Sequence, residues 1–149
     1  MIQAEMADVH GCYFPVRVLL DSASQSNFIT ESCMWRGELK RSLCSIIVLG
    51  VNDAKAAFAK GRTSIVIRAL AREESRMPVE VNILPKISQL QNHQIKSHKW
   101  RHLRGLQLAD SGYHRPRSVD ILLGAEHFVS VLREGRRKDR RGDPDALNT

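Results

Sequence analysis

The chain has 149 residues, of which 42% are hydrophobic and nine are glycine. This length fits one domain with one core, and the composition excludes wholesale disorder. No stretch approaches the ~18 apolar residues of a membrane span, and the N-terminus lacks the basic flank of a secretory signal. The three cysteines have no CxxC spacing, which argues against a disulfide framework and a zinc ribbon. We therefore expect an intracellular, cytoplasmic chain without a membrane segment.

The net charge of +7 is concentrated in the C-terminal half. His93–Arg117 holds six Lys or Arg residues against one Asp, and Arg133–Arg141 holds six against two acidic residues. A basic segment of this kind favours contact with a polyanion. The sequence has no helix-turn-helix or zinc-finger motif and few aromatic residues on which bases could stack. It therefore predicts at most a weak nucleic-acid contact through this half.

The N-terminal half predicts two strands and a short helix. Tyr13–Leu20 is apolar and runs directly into a turn of small polar residues, which is typical of a strand followed by a tight turn. Thr30 is predicted to cap a helix over Glu31–Leu39 that ends near Gly37. Ser45–Val51 is apolar and predicts another strand that ends in turn residues.

The middle of the chain predicts an antiparallel pair of strands. Arg62–Ala69 and Met77–Leu84 both alternate apolar and polar residues at the period of a half-buried strand. Arg72–Arg76 is charged and is predicted to be the connector between them. The basic stretch that follows has a possible helix over Ser97–Leu106.

The C-terminal part predicts a buried strand, a short helix and a loose end. Val119–Leu123 reads as the strand, Gly124 as the break, and Ala125–Leu132 as the helix. Arg133–Thr149 is basic and polar, and it is predicted to be loosely ordered. The fold class expected from all these elements is all-β with one or two short helices.

Asp21 is the strongest candidate for a functional residue. It ends an apolar strand and begins a turn of small hydroxyl residues, where backbone N–H groups and serine hydroxyls can converge on a carboxylate. A catalytic Asp needs this combination of a fixed position, hydrogen-bonded support and access. An Asp followed by Ser is nevertheless far more often a turn or a helix cap than a catalyst. A second element is needed to distinguish the two readings.

The second element is a set of short matches, in order, to one family. The chain resembles the retropepsin-like aspartic peptidases of retroelements, and in particular the protease region of Pao/BEL retrotransposon polyproteins, over Val16 to Phe128. The matching pieces are Leu19–Ser26 (LLDSASQS), Phe28–Glu31 (FITE), an isolated Gly50, Leu84–Ile87 (LPKI), Trp100 with His102 and Leu103, Leu108–Asp110 (LAD), and Leu122-Leu123-Gly124.

The resemblance implies a retropepsin-like acid-protease β-barrel with one lobe per chain. Residues 10–132 would form the peptidase domain, and residues 133–149 a basic, flexible tail that is the truncated end of that domain. It implies an aspartic endopeptidase that works as a homodimer on a peptide or polyprotein substrate, without a cofactor or a metal.

The resemblance also implies roles for particular residues. Asp21 from each of two subunits would share a proton and hold a water molecule between them. The residues that would assist fall into three groups: turn support from Ser22, Ala23 and Ser24; a flap that closes on the substrate, at Val48, Leu49, Gly50 and Val51; and structural support from Leu122, Leu123 and Gly124. Ala23 stands where retroviral relatives mostly have Gly.

Other readings of the same residues remain open. The fold could be kept as an inactive remnant, or as a binding or dimerisation module, and the basic half leaves a nucleic-acid-binding domain as a further alternative. Asp120 could be a second carboxylate, although a solvated Asp at the start of a strand is the favoured reading. A metal site at His93, His98 and His102 is disfavoured, because no carboxylate cluster accompanies these residues. The cysteines read as small apolar residues and not as nucleophiles.

Overall fold

The computed structural model of the chain describes residues 1–49, 55–70, 72–87, 103, 105–112, 117–137 and 146–149. Within these residues the chain forms ten strands and two short helices, in the order β1 (Ile2–Ala7), β2 (Tyr13–Leu20), β3 (Phe28–Thr30), α1 (Glu31–Arg36), β4 (Ile46–Leu49), β5 (Lys55–Ala59), β6 (Arg62–Ala69), β7 (Arg72–Leu84), β8 (Ile121–Leu123), α2 (Ala125–Val131), β9 (Arg136–Arg137) and β10 (Ala146–Leu147).

Six of the strands close into a barrel in the order β1-β2-β8-β3-β7-β6. Strands β2 and β8 are parallel, as are β3 and β7, and the other neighbours are antiparallel. The predicted all-β class with one or two short helices is therefore confirmed. No helix among the described residues is long and apolar enough to cross a membrane.

The alternating sequences of β6 and β7 produce the predicted antiparallel pair. Ile65 of β6 lies opposite Val79 of β7, and Thr63 lies opposite Val81. All four side chains are buried, because successive residues of a strand point to opposite faces and these residues share the face toward the core. The period of two in the sequence thus identifies the buried face correctly.

The barrel interior is filled by one apolar cluster to which every strand of the barrel contributes. Its fully buried members include Met6, Val18, Ile29, Ile121 and Leu123. Helix α1 adds two buried residues, Cys33 and Met34, to the same cluster. Burial of apolar side chains stabilises the fold by about 25 cal/mol per Å², so this cluster is the main source of the barrel's stability.

A second group of apolar side chains lies on the outside of the barrel wall. We call it the outer cluster, and it consists of Phe28, Ala59, Leu84 and Leu122, with Leu19, Val48, Ala57 and Ile87 packed against them. Each barrel residue in it alternates with a neighbour that points inward, such as Leu19 with Val18. Strands β4 and β5 pair as an antiparallel hairpin. One face of this hairpin packs on the barrel residues of the outer cluster and covers them.

Strand β1 has no counterpart among the predicted elements. It pairs with β2 over its full length and with β6 through Ala4, Glu5 and Met6. The barrel therefore extends beyond the boundary predicted at residue 10. The residues of β1 alternate, with Ile2, Ala4 and Met6 apolar and Gln3 and Glu5 polar, but Ala and Glu are depleted in strands, so the pattern is a weak signal.

The predicted connector Arg72–Arg76 is wrong, because this segment is the first part of β7. Arg76 lies opposite Arg68, and Arg72 lies opposite Ala69 across a shift in register. Glu74, Ser75 and Arg76 are exposed, so charged side chains are tolerated in this part of β7 while Arg72 and Arg76 pair with β6. The charged residues of this segment indicate that it is exposed to solvent, but they do not indicate whether its backbone forms a strand or a loop.

Helix α1 and the C-terminal tail also differ in part from the predictions. Helix α1 begins after Thr30 as predicted, and the Thr30 hydroxyl accepts a hydrogen bond from Cys33 N at 3.2 Å. It ends at Arg36 with Gly37 as its C-cap, so the predicted end near Gly37 is confirmed, whereas Leu39 lies beyond the helix because the chain turns at Glu38, whose φ is +53°. The tail was predicted to be loosely ordered, but β9 and β10 pair within it, and Arg133 N donates to Asn148 O at 2.9 Å.

A buried ion pair secures the outside of β2 near the middle of this strand, at Arg17. Arg17 Nε donates to Asp110 Oδ2 at 2.9 Å, and the two side chains are only 8% and 2% exposed. Asp110 also accepts from Gly112 N, and Arg17 Nη1 donates to Arg117 O. Because a buried charge without its partner is very unfavourable, the segment around Asp110 is held firmly against the barrel.

Replacement of Asp110 by Ala is expected to lower the free energy of unfolding by about 3–5 kcal/mol, because it leaves Arg17 charged and unpaired inside the protein. A second change, Arg17→Met in the same chain, should recover part of the loss by removing the isolated charge. Urea unfolding with unchanged m-values measures both effects.

The matched control is Glu31→Ala, which breaks the contact of 2.8 Å between Glu31 and Arg41. The Glu31 side chain is 41% exposed, so this loss should be about 0–1 kcal/mol. Equal losses for the two single substitutions would contradict the importance given to the buried pair.

Candidate active site

Asp21 lies immediately after β2, at the point where the chain leaves the barrel. Its backbone N–H donates to Leu123 O at 2.9 Å, which ties it to the end of β8. Ala23 N donates to Asp21 Oδ1 at 2.9 Å, and Ser24 N lies 3.4 Å from Asp21 O. Asp21 is half-buried, so its carboxylate is fixed in position and still reached by solvent. The turn thus provides the position and the backbone support that the sequence predicts for this residue.

Ser24 supports the turn, but its hydroxyl does not converge on the carboxylate of Asp21 as the sequence suggests. Ser24 Oγ donates to Ser26 O at 2.7 Å and lies 3.4 Å from Ser26 N, so it braces the turn internally and does not hold the carboxylate. Ser22 and Ala23 are exposed. The support of Asp21 within one chain therefore comes from backbone amides, and the side chain of Ser22 is free to face another molecule.

Gly124 allows the Asp21 turn to pack directly on the end of β8. A Cβ atom at Gly124 would lie 2.6 Å from Ser24 O and 2.9 Å from Ser26 O, distances that real Cβ atoms essentially never show. The close approach lets Ala125 N donate to Ser24 O at 2.8 Å. A glycine is therefore required here by the proximity of two backbones, since its own φ of −78° is open to any residue.

The two residues before Gly124 belong to different clusters. Leu123 is fully buried inside the barrel, and Leu122 lies in the outer cluster opposite Phe28. The apolar-apolar-Gly motif thus fills both sides of the barrel wall and then meets the turn. The structure brings all three residues to the end of the barrel that carries Asp21.

Asn27 also belongs to this arrangement, although the sequence analysis does not identify it. Its Oδ1 accepts from Gly124 N at 2.8 Å, and its Nδ2 donates to Glu80 O at 3.2 Å. Its backbone oxygen accepts from Asn82 N. The available signal in the sequence is an Asn between a polar turn and a buried strand, which is also typical of an ordinary turn residue.

The predicted flap coincides with the β4–β5 hairpin as far as the structure describes it. Val48 lies opposite Ala57, and both pack against the outer cluster. Ile47 and Phe58 form the next cross-strand pair and lie on the opposite, more exposed face. Leu49 is the last described residue of β4, and Gly50 and Val51 lie outside the described residues. Strand β5 lies next to β7, and Leu19, two residues before Asp21, packs against the same outer cluster.

Asp120 is not the solvated strand-start residue that the sequence favours. Its Oδ2 accepts from Arg17 N at 2.8 Å, its Oδ1 contacts Arg36 Nη2 at 3.2 Å, and its side chain is 18% exposed. Asp120 lies beside Arg17, and Arg17 precedes Asp21 by four residues, so the backbones of the two aspartates are about 13 Å apart along the strands at 3.3 Å per residue. Asp120 is a structural residue and cannot pair with Asp21 of the same chain.

The other candidates that the structure describes add no second site. Burial raises the pKa of the Cys33 thiol to about 12, with the nearby Asp120 carboxylate as the next cause, so this cysteine is not a nucleophile at neutral pH. Cys12, by contrast, is exposed and does not fill the core. The described part of the chain contains no group of three His, Cys, Asp or Glu residues that could hold a metal. His93, His98 and His102 lie outside the described residues.

The basic segments are described only in part. Of residues 93–117, the structure describes 103, 105–112 and 117, and the predicted helix over Ser97–Leu106 falls almost entirely outside these ranges. Of residues 133–141, it describes 133–137. The nucleic-acid contact predicted for this half therefore stays a prediction.

Comparison with known proteins does not extend this picture. No model of a known protein family matches the chain, and a search of curated proteins finds no significant match.

Replacement of Gly124 by Ala is expected to destabilise the fold by about 1–3 kcal/mol, the usual cost of inserting a methyl group where the backbone must move. The displaced atoms would be Ser24 O and Ser26 O, so the change should also loosen the turn that holds Asp21. Urea unfolding measures the first effect. The matched control is Gly112→Ala, whose Cβ would meet nothing closer than 3.4 Å. Similar losses for both variants would contradict the requirement at Gly124.

Proposed function

We propose that the chain is an aspartic endopeptidase of a retroelement polyprotein, which cleaves peptide bonds as a homodimer with one Asp21 from each subunit. The observation that carries the proposal is the turn at the end of β2. There, a partly exposed carboxylate is fixed by Ala23 N and tied to Leu123 O. The retropepsin-like motifs LLDSASQS and LLG fall on the two segments that meet at this point.

The chemistry requires two such carboxylates close together. Two adjacent carboxyl groups cannot both ionise cheaply, so the pair holds one proton between them. The ionised Asp21 would take a proton from a water molecule, which then attacks the scissile carbonyl carbon. The protonated Asp21 would donate a hydrogen bond to the carbonyl oxygen, where negative charge develops in the transition state.

None of the other described aspartates is available to pair with Asp21, so the proposal takes the second carboxylate from another chain. Among the described aspartates other than Asp21, Asp110 is buried against Arg17, and Asp120 is bound to Arg17 N and Arg36. Asp8 accepts from His10 N and Cys12 N in a turn after β1. That turn lies at the end of β2 where the strand begins, away from Asp21. A two-fold pair of identical turns supplies two carboxylates in the simplest way.

The substrate class proposed is an extended peptide. The β4–β5 hairpin packs on the outer cluster, to which Leu19 just before Asp21 also belongs, and an extended peptide could lie between this hairpin and the paired turns by forming strand-like hydrogen bonds. Closure of the hairpin over the peptide would exclude water from the reacting bond.

The same arrangement also supports a second candidate, in which the dimer binds a peptide without cleaving it. Ala23 favours this reading, because its methyl group lies on the exposed part of the turn, where the substrate backbone would pass. The two candidates differ in one measurable property, which is cleavage by the parent chain.

Asp21→Asn is expected to reduce cleavage of a random peptide library to the uncatalysed background, because an amide cannot act as a general base. The fold should be unchanged, since the Asn oxygen can still accept from Ala23 N. Asp8→Asn is the matched control, because Asp8 also caps a turn and lies away from the site. Mass spectrometry of the peptides measures both variants. Cleavage by Asp21→Asn at the parental rate would rule out this residue as the catalyst, and an inactive parent would favour the binding module.

The homodimer can be tested by mixing chains. A tenfold excess of Asp21→Asn chains should reduce parental activity to about a tenth, because random pairing leaves about one parental chain in ten with a parental partner. Dilution of the parent alone should lower its specific activity as dimers dissociate, and sedimentation should show the same transition. Undiminished activity in the mixture, from a chain that sediments as a monomer, would contradict the shared site.

A further inference from the structure

We propose that Asn27 is a positioning residue that holds the Asp21 turn in its active geometry through its side-chain amide. The inference rests on the proposed function and adds to it a residue that neither the motif nor the resemblance assigns. Asn27 is not a third catalytic group beside the two Asp21 carboxylates. It acts on Asp21 through the backbone at the end of β8.

The side chain of Asn27 joins three segments. Its Oδ1 accepts from Gly124 N at 2.8 Å, and its Nδ2 donates to Glu80 O on β7 at 3.2 Å. The residue itself closes the turn that begins at Asp21. One amide group thus connects the turn, the end of β8 and the neighbouring strand of the barrel.

This connection fixes the site because β8 contacts the turn at successive residues. Leu123 O accepts from Asp21 N at 2.9 Å, and Ala125 N donates to Ser24 O at 2.8 Å. Gly124 lies between these two contacts and has no side chain of its own with which to hold its position. Its N–H is bound by Asn27, so Asn27 sets where the backbone that anchors Asp21 comes to rest.

The amide of Asn27 is suited to this role by its chemistry. An Asn side chain offers one acceptor and two donors on a short, planar group, so it can bind an N–H and a carbonyl at the same time. A carboxylate at the same place could accept from Gly124 N but would face Glu80 O without a proton to donate. An aliphatic side chain would leave both backbone groups without this partner. A displacement of about 1 Å at a catalytic group can cost a factor of ~100 in rate, so a small shift of β8 would be seen in activity.

Three variants separate positioning from simple stability. Asn27→Ala removes both hydrogen bonds, Asn27→Asp keeps the acceptor for Gly124 N, and Gln25→Ala is a control at an exposed residue of the same turn.

We expect kcat of folded, dimeric Asn27→Ala to fall by about tenfold or more, with KM within about twofold of the parent. Asn27→Asp should retain more activity than Asn27→Ala, and Gln25→Ala should match the parent. If Asn27→Ala does not fold, Asn27→Thr is measured against the same criteria.

A second measurement does not depend on catalysis. Ala23 N–H donates to Asp21 Oδ1, so its amide chemical shift should follow the ionisation of Asp21 when pH is changed. We expect this pH-dependent shift to be the same in the parent and in Gln25→Ala. In Asn27→Ala it should fall to about half or less, because the hydrogen bond to Asp21 is misplaced. Exchange of the Gly124 amide should be slow in the parent and in Asn27→Asp, and faster in Asn27→Ala.

The outcomes distinguish this inference from the proposed function. An inactive parent overturns the proposed function, and the Ala23 titration then decides the role of Asn27 by itself. A folded Asn27→Ala dimer with an unchanged Ala23 titration overturns the positioning role, whatever its kcat, because the turn has then kept its geometry. An unchanged kcat together with a reduced Ala23 titration overturns it as well, since the geometry that Asn27 controls would not be the geometry that catalysis needs.

Discussion

The insertion of β8 between β2 and β3 is the constraint on which both the barrel and the site depend. This strand has only three residues, and all three are buried. A strand in the interior of a sheet must satisfy its backbone groups on both sides, and β8 pairs in parallel with β2 and antiparallel with β3. The same pairing continues past Leu123 into the contact with Asp21 N. The closure of the barrel and the position of Asp21 therefore have a common cause.

Burial on both sides of the barrel wall explains why β2 and β8 read as apolar runs without alternation. Strands that are covered on both faces have near-continuous hydrophobic sequences. In β8, Ile121 and Leu123 fill the interior, while Leu122 lies in the outer cluster beneath the hairpin. The hairpin thus serves as a cover for apolar residues that the barrel alone would expose. Removal of that cover from the wall would expose apolar surface, so an occupant with apolar side chains would be favoured in its place.

The sequence predicts those parts of the fold in which local chemistry and tertiary packing agree. The Thr30 cap, the alternating β6 and β7 and the apolar run before Gly124 are of this kind, because a few neighbouring residues determine each of them. The start of β7 could not be predicted in this way. Its charged residues are compatible with a loop, and only the partner strand β6 makes them part of a sheet.

The residues of the candidate site also fall into those that local motifs identify and those that only long-range contacts identify. Asp21 and Gly124 belong to recognisable local motifs, and the structure brings them together at one end of the barrel. Asn27 and the pair of Arg17 with Asp110 are determined by contacts over long distances in sequence, 97 residues for Asn27 with Gly124 and 93 for the ion pair. An Asn in a turn or an Arg in a strand has no local sequence feature that indicates such a distant partner. These two interactions therefore cannot be predicted from a single sequence.

The β2–β8 pair separates residues that stabilise the fold from residues that could perform chemistry. At one end, Asp110 and Asp120 are engaged by Arg17 and Arg36, and their lone pairs are occupied by protein donors. At the other end, about 13 Å along the strands, Asp21 is held through a backbone amide and remains partly exposed. A carboxylate bound to a guanidinium inside the protein is inaccessible, whereas one held by an amide keeps a side open to water or to a second carboxylate. The position of each Asp relative to the strand ends therefore decides which of the two roles it can take, and in one chain only the Asp21 end leaves its carboxylate available to a partner.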